Sequence, residues 1–426
     1  MLDHIDNPLT MRLTAILFSL LVSCALFGQT LQEKMLENPV NGASIYRPYF
    51  LLVGDRNVNV PKGYKPFYIS HFGRHGSRYQ SRPAYFKPAV DCFQAAKSAG
   101  ILTEKGEELY RAIQTLLDVH DGMYGELAPL GAREHHQIAR RMFEREKKVF
   151  ASRQRNQVRC ASSYFSRCIV SMANFTEELS SHAPDLEVTY LVGKRHNEAY
   201  LNAKPFPKFE PQTKPVLDSL KRVYMHPETL MSLYFTDQQK AYSFTPDPYA
   251  MELGLYYFWS ICYNLDFLGL DMTPLIPFEE LVASSAIDNA YRYATVAISE
   301  EFGKYTRLTG LQLLKDFVAK AEEALKEDSN VAADLRFAHD SGFLPICGLL
   351  GIEGFPVHSI EEAARSWNAS EVIPMCANVQ MIFYEGKGDV LVKVLVNEQE
   401  EHLGGLTPVE SYYYRWEDLK NMIGKL

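Results

Sequence analysis

Three short apolar segments of this chain each lead into cationic or histidine residues, and this repetition constrains the fold more than any other feature. Residues 67–72 lead into Arg74-His75-Gly76-Ser77-Arg78, Asn156–Ser162 precedes Arg167, and Leu335–Ala338 precedes His339-Asp340. Each segment is typical of a strand that delivers polar residues at its carboxyl end. Because ligands of open α/β sheets bind outside the carboxyl ends of the strands, we expect an α/β fold whose three strand ends converge on one site.

The segment Arg74–Arg78 sets one imidazole between two guanidinium groups beside a glycine. Two Arg forks can hold a phosphate through charge-assisted hydrogen bonds, and Gly76 lets a bulky anion approach the backbone. The imidazole of His75 can then attack phosphorus. The simpler alternative for this segment is a solvated basic turn after an edge strand.

The sequence resembles the histidine acid phosphatases of the histidine phosphatase superfamily. The resemblance rests on five segments in the family's order: Arg74–Arg78, Gly125–Gly131, Ser163–Ser171 around Arg167, His339-Asp340 and Val394–Glu398. The segments Arg-His-Gly-Ser-Arg-Tyr and Ser-Arg-Cys are most similar to the corresponding segments of multiple inositol polyphosphate phosphatases and bacterial phytases. That subgroup usually carries His-Ala-Glu, whereas this chain has His339-Asp340-Ser341, the pair typical of the wider acid phosphatase and phytase branch.

The resemblance implies a phosphomonoester hydrolase that acts through a phosphohistidine, with inositol polyphosphates such as phytate as substrates and with no metal or cofactor. It implies that His75 is the nucleophile and Asp340 the acid that protonates the leaving alkoxide. The residues implied to hold the phosphoryl oxygens are Arg74, Arg78, Arg167 and His339. It also implies a Rossmann-like mixed sheet flanked by helices, with an inserted and mainly helical cap domain.

Other functions fit the same residues. Within the family, the chain could be a broad-specificity or sugar-phosphate acid phosphatase. Outside it, a phosphotransferase similar to phosphoglycerate mutase shares the Arg-His-Gly segment, and a non-catalytic phosphate-binding protein could keep the same scaffold. Turnover and product analysis would separate these alternatives.

The helical, aromatic and proline-interrupted stretch 195–300 predicts the cap, inserted between core segments 29–194 and 301–426. Lys194, Arg195 and His196 lie at the junction and are the best local candidates for binding further phosphates, although a charge pattern of this kind more often forms a solvated cluster. The 426-residue chain carries a net charge of −8 and no long basic run, which argues against nucleic-acid binding.

Several neighbouring residues are expected to play supporting parts. Ser162 and Ser163 are candidates for capping the helix that carries Arg167, and Asp340 could cap the helix after it. Arg159 is expected to be structural, and His135 and His136 are expected to support the site or be solvated rather than to react.

The amino-terminal residues predict export. Residues 1–10 are polar, whereas Met11-Arg12 followed by residues 13–27 has the form of a signal peptide that ends by residue 28. The apolar run is too short for a transmembrane anchor. Residues 21–24 also resemble a lipobox, which would leave Cys24 lipidated, so a lipid-anchored protein and a periplasmic or secreted one both remain open.

Six further cysteines follow the leader, and the sequence does not choose among their 15 full pairings. Cys168, next to Arg167, could be a packing residue or half of a disulfide. A zinc site is not expected, because no Cys-x-x-Cys or His-Glu-x-x-His spacing occurs.

Overall fold

The computed structural model describes residues 29–49, 59–202, 210–356 and 358–426. The predicted leader and Cys24 lie outside the described residues. Among the described residues, eight strands form one mixed sheet in the order β3-β2-β4-β1-β5-β6-β7, with β8 paired to β6. The strands are β1 Lys65–Arg74, β2 Gln157–Ser162, β3 Glu187–Val192, β4 Val331–Ala338, β5 Asn378–Gly386, β6 Asp389–Val396, β7 Gln399–Glu400 and β8 Tyr413–Arg415.

Helices connect and cover these strands. In chain order they are α1 Leu31–Glu37, α2 Lys87–Ala99, α3 Glu104–His120, α4 Pro129–Arg145, α5 Lys147–Phe150, α6 Ser166–His182, α7 Lys194–His196, α8 Glu210–Tyr224, α9 Pro227–Tyr234, α10 Gln238–Phe244, α11 Pro248–Cys262, α12 Phe278–Val296, α13 Gly303–Ala324, α14 Asp340–Leu349, α15 Ile360–Ser366, α16 Ala369–Val372 and α17 Trp416–Gly424. The predicted α/β class, with helices flanking a mixed sheet, is confirmed.

The central strand β1 is buried on both faces because its alternate side chains belong to two hydrophobic clusters. Ile69 packs with Phe175 of α6 and Leu335 of β4. On the opposite face, Phe72 packs in the same cluster as Phe343 of α14. Two helical layers therefore hold β1 rigidly in the middle of the sheet. The residues that directly follow β1 are fixed in position for the same reason.

The parallel half of the sheet brings the predicted strand ends to one edge. Strands β2, β4 and β1 are neighbours and run parallel, with Ser162 opposite Phe337 and Arg74 opposite Ala338. The sequence Gly386-Lys387-Gly388 predicts a hairpin turn. In the antiparallel half of the sheet, Gly386 pairs with Asp389, and the turn residues Lys387 and Gly388 have φ of 49° and 83°. That hairpin is confirmed.

The described chain between β3 and β4 is mostly helical, from α7 to α13. Helix α11 of this region packs on the segment that follows β1, where the rings of Phe258 and Phe86 stack with centroids 3.8 Å apart. This contact joins the helical region to the loop that leaves the sheet. The cap boundaries at residues 195 and 300 stay a prediction.

Candidate active site

The ends of β1 and β4 place two histidines side by side. The rings of His75 and His339 have centroids 5.6 Å apart and cross at 72°. The backbone N–H of His75 donates to the Ala338 carbonyl at 3.0 Å, and its own carbonyl accepts from the N–H of Cys376 at 3.1 Å. These bonds fix the imidazole of His75 at the carboxyl edge of the sheet.

A hydrogen bond selects which ring nitrogen of His75 faces the site. Nδ1 lies 3.0 Å from the carbonyl oxygen of Gly76, which can only accept, so Nδ1 carries the proton and Nε2 keeps its lone pair. Burial lowers the pKa of His75 well below its usual value, and the charges of Arg167, Arg74 and Arg78 lower it further. The ring is therefore neutral, and Nε2 is the ring atom whose lone pair is available.

Arg74 is fully buried and anchored through one nitrogen only. Its Nη1 donates to the carbonyl oxygens of Ile45, Ile373 and Pro374 at 2.8, 3.0 and 3.1 Å. Its Nε and Nη2 have no hydrogen-bond partner among the described residues. Buried donors in folded proteins are nearly always paired, so two unpaired nitrogens on one guanidinium indicate a place for an anion.

Two further guanidinium groups have the same arrangement, in which one nitrogen is anchored and Nε lacks a described partner. Nη1 of Arg78 donates to the Tyr79 carbonyl at 2.8 Å. Nη1 of Arg167 donates to the Gly125 carbonyl at 3.4 Å, and its Nη2 lies 3.5 Å from Nδ1 of His339. The structure thus gathers all three predicted arginines around His75, consistent with their combined effect on its pKa.

His339 is oriented by a serine. Its Nε2 lies 3.0 Å from Oγ of Ser163, which donates its own proton to Oδ1 of Asn197 at 2.5 Å. With that proton committed, Ser163 accepts from His339, and Nδ1 of His339 faces Arg167. The expectation that Ser162 and Ser163 cap α6 is wrong: the residue before the helix is Phe165, without a side-chain cap.

Asp340 is the first residue of α14 rather than its cap, which is His339. Its Oδ1 accepts the N–H of Ser341 at 2.9 Å. Burial would raise the pKa of Asp340, but Arg74 and Arg292 outweigh burial and hold this pKa below its ordinary value. Without an anion in the site, Asp340 is therefore a carboxylate.

The loop that carries His75 is held from two helices by residues that sequence reasoning missed. Glu134 of α4 accepts the N–H and the hydroxyl of Ser77 at 2.7 and 2.8 Å. Oγ of Ser171 on α6 accepts the N–H of Gly76 at 3.1 Å. Glu134 gave no signal of its own, because a single Glu on an amphipathic helix is normally solvated.

The helical region between β3 and β4 contributes residues that the sequence also did not reveal. Asn264, just after α11, accepts the N–H of Arg78 at 3.1 Å and donates to the Tyr46 carbonyl at 2.5 Å. Arg292 of α12 donates to the hydroxyl of Tyr46 at 3.2 Å. Neither residue belongs to a local motif, so only the packing of this region on the sheet reveals them.

The candidates for further phosphates lie apart from the site. Lys194 and Arg195 are exposed, and Nζ of Lys194 lies 3.7 Å from Glu198. Within the described ranges, no contact joins Lys194, Arg195 or His196 to His75 or the three arginines around it, although the next residue, Asn197, holds Ser163. A specificity role for these three stays a prediction.

The remaining supporting residues mostly form structural contacts. Arg159 pairs with Asp334 and Glu323 at 2.7 and 2.6 Å. His135 is buried, and Nδ1 of His136 lies 3.0 Å from Glu178.

The six cysteines of the described ranges are buried and unbridged, and Sγ of Cys168 lies 3.7 Å from His339. In the same part of the chain, no cluster of three or more His, Cys, Asp or Glu could hold a metal, and no helix is long and apolar enough to cross a bilayer.

Residues 73–397 match the family model of the histidine phosphatase superfamily (branch 2). The fold is similar to that of the Bifidobacterium longum multiple inositol polyphosphate phosphatase in complex with inositol hexasulfate, with TM-score 0.79, 17% identity, and coverage of 90% of this chain and 97% of that one. For the complex of the same enzyme with phosphate, the TM-score is 0.76 and the identity 19%, at the same coverage. For the phytase from D. castellii, the TM-score is 0.63 and the identity 13%, with 91% of this chain and 84% of that one covered. No curated protein matches the chain significantly.

Proposed function

Because the chain belongs to the histidine phosphatase superfamily (branch 2), we propose that it hydrolyses phosphate monoesters through a phosphohistidine on His75. The observation that carries this proposal is the hydrogen bond from Nδ1 of His75 to Gly76, which leaves Nε2 with a lone pair among three guanidinium groups. A neutral imidazole surrounded by fixed positive charge suits attack on a phosphoryl group, whose own negative charge repels most nucleophiles.

In the first step, Nε2 of His75 bonds to phosphorus while the bond from phosphorus to the ester oxygen breaks. Asp340 gives its proton to the departing alkoxide. Arg74, Arg78 and Arg167 bind the phosphoryl oxygens, where charge accumulates in the transition state. His339 joins them in its protonated form, in which Nδ1 donates as well as Nε2. Each guanidinium at ~4 Å contributes on the order of 4 kcal/mol of attraction at an effective dielectric of about 20, before desolvation is subtracted.

In the second step, a water molecule attacks phosphorus, and the bond from phosphorus to Nε2 breaks. The Asp340 carboxylate takes the proton of that water, which restores the acid and releases inorganic phosphate. Asp340 must therefore be protonated when substrate is bound, although Arg74 and Arg292 keep it ionised beforehand. The charge of the bound phosphate offsets these arginines, so substrate binding itself raises the pKa of Asp340.

We propose inositol polyphosphates such as phytate as the substrate class, with export of the protein through its predicted leader. The fold is similar to that of an inositol polyphosphate phosphatase and of a phytase, and the cap supplies polar residues next to Arg78. A polyanionic substrate must be attracted by this local cluster, because the whole chain is acidic.

Two measurements test the proposal. Release of inorganic phosphate from phytate and from p-nitrophenyl phosphate should be lost in a His75→Ala variant. Rapid quenching of the wild type into alkali, which preserves phosphohistidine, should show phosphate bound to the protein during turnover. Retention of more than a trace of activity by His75→Ala would remove the nucleophile assignment.

A further inference from the structure

Phe165 lies directly before α6, and its ring contacts two of the residues that surround His75. The guanidinium carbon of Arg167 lies 4.8 Å from the centre of the Phe165 ring. The imidazole of His339 meets the same ring at 87°, with centroids 5.3 Å apart. These separations are typical of cation–π and edge-to-face contacts. One apolar side chain therefore contacts two of the residues proposed to bind the phosphoryl oxygens.

The hydrogen bonds of Arg167 do not fix its guanidinium group firmly. Nη1 lies 3.4 Å from the Gly125 carbonyl oxygen, Nη2 lies 3.5 Å from Nδ1 of His339, and Nε has no partner among the described residues. Hydrogen bonds from N–H groups in proteins are usually about 2.7–3.2 Å long. The bonds from Arg74 to its carbonyl partners, at 2.8 to 3.1 Å, are within that range. The orientation of Arg167 therefore depends on the ring of Phe165 as well.

Phe165 occupies a position where another residue type would stabilise the helix better. The residue before a helix is most often Ser, Thr, Asp or Asn, whose side chain accepts a backbone N–H of the first turn. Phe165 has an extended backbone, with φ of −72° and ψ of 134°, and no side-chain cap. Its ring instead stacks with that of Tyr164, with centroids 4.8 Å apart and planes 18° from parallel. A supported aromatic ring at this position indicates a role in the site rather than in the helix.

A phenyl ring is a suitable neighbour for an arginine that must bind an anion. A carboxylate would occupy the N–H groups and neutralise the charge, as Asp334 and Glu323 do for Arg159. The face of a phenyl ring attracts the guanidinium group but holds no hydrogen-bond acceptor. The N–H groups in the plane of Arg167 are thus left for phosphoryl oxygens, and the full charge of Arg167 is kept.

We propose that Phe165 is a positioning residue, which orients Arg167 for binding the phosphoryl group. This proposal rests on the proposed function and adds a residue outside the motifs that mark the site. Phe165 does not touch the reacting atoms, so removal of its ring acts through Arg167.

The test measures the dissociation constant of orthovanadate by isothermal titration calorimetry. Orthovanadate resembles the phosphoryl group in the transition state, and its binding requires no turnover. Phe165→Leu keeps an apolar side chain but removes the ring, so the dissociation constant should rise about fivefold or more. Phe165→Tyr keeps the ring and should bind as the wild type does. The binding stoichiometry gives the folded fraction, so a partly unfolded preparation still gives a valid dissociation constant.

Phe143→Leu is the matched control. Phe143 is also half-buried and stacks on a histidine, His182 at the far end of α6, with centroids 5.1 Å apart. Its dissociation constant should equal that of the wild type. A second comparison uses Arg167→Gln as the starting protein. There, Phe165→Leu should change the dissociation constant by less than about twofold, because the residue that Phe165 orients is already gone.

Three results would overturn the role of Phe165: an unchanged dissociation constant in Phe165→Leu, an equal loss in Phe165→Tyr, or the same loss with and without Arg167. A wild type that binds orthovanadate but hydrolyses no phosphate monoester, or an active His75→Ala, would instead overturn the proposed function. A wild type that binds no orthovanadate would overturn both.

Discussion

Gly76 and Gly131 meet backbone to backbone beneath the candidate nucleophile. A Cβ atom on Gly76 would lie 2.7 Å from both Cα and the carbonyl oxygen of Gly131. Neither of these atoms can move without displacing the start of α4. The glycine next to His75 is therefore required by close packing of the loop, in addition to any room that it gives to an anion.

Gly76→Ala should displace the loop that carries His75 and lower kcat for p-nitrophenyl phosphate by about 100-fold or more, because a shift of ~1 Å at a reacting group costs that much. Gly424→Ala is the control, since a Cβ there meets nothing within 4 Å. Full activity in Gly76→Ala would show that the loop relaxes without cost.

Asp340→Asn should impair substrates selectively. A poor leaving group such as a sugar alkoxide needs the proton, whereas p-nitrophenolate departs without one, so kcat should fall far more for glucose phosphate than for p-nitrophenyl phosphate. Asp91→Asn, at an exposed pair with Lys87, serves as the control. Equal losses on both substrates would contradict the role of Asp340 as the acid.

Arg167 should set the acid tolerance of the enzyme. Burial, then Arg167, then Arg74 lower the pKa of His75, which keeps its lone pair available in acid. Arg167→Gln removes one positive charge, so this pKa should rise toward its ordinary value. On the acid side of the pH profile, kcat/KM of the variant should begin to fall at a higher pH than kcat/KM of the wild type. In the wild type, this decline is expected well below neutrality.

Exposed Arg140, which pairs with Glu178, is the control for that experiment. Arg140→Gln should not change the pH at which kcat/KM falls on the acid side of the profile. If Arg167→Gln lowers activity by the same factor at every pH, Arg167 does not influence the ionisation of His75.

Glu252 should make the helical region between β3 and β4 sensitive to alkali. Burial and the neighbouring Glu280 raise the pKa of Glu252 to about 9. A carboxyl group whose pKa is raised by folding stabilises the folded protein while it is protonated. This contribution is fully present below the pKa of the unfolded protein, 4.5, and is lost as the pH rises through the pKa of the folded protein. The free energy of unfolding should therefore decline between pH 5 and 9, by on the order of a few kcal/mol.

Glu252→Gln keeps a neutral side chain at every pH and should abolish most of that decline. Urea unfolding of both proteins at pH 5, 7 and 9 measures the difference. Parallel pH profiles for the two proteins would mean that Glu252 does not hold a proton in the folded protein.

The sequence alone determined the strands that lead into the candidate active-site residues. The apolar runs before Arg74, Arg167 and His339 predicted β1, β2 and β4, because a buried strand consists of a short run of apolar residues that can be recognised in the sequence. The turn at residues 386–388 could be predicted as well, since its two glycines mark a turn and Gly388 adopts a φ of 83°, which glycine tolerates best. His75, Asp340 and the three arginines were predicted as site residues for the same reason: each stands in a short motif.

Only the tertiary structure decided which residues surround these motifs. Strand order put β4 between β1 and β2 and so placed His339 beside His75. Helix packing put Glu134 and Ser171 against the loop, although Glu134 stands in no motif and Ser171 only closes the motif around Arg167. Ser163 was misassigned as a helix cap because its true partners, His339 and Asn197, lie 176 and 34 residues away. Contacts at such separations depend on how the layers pack, and one stretch of sequence does not encode that.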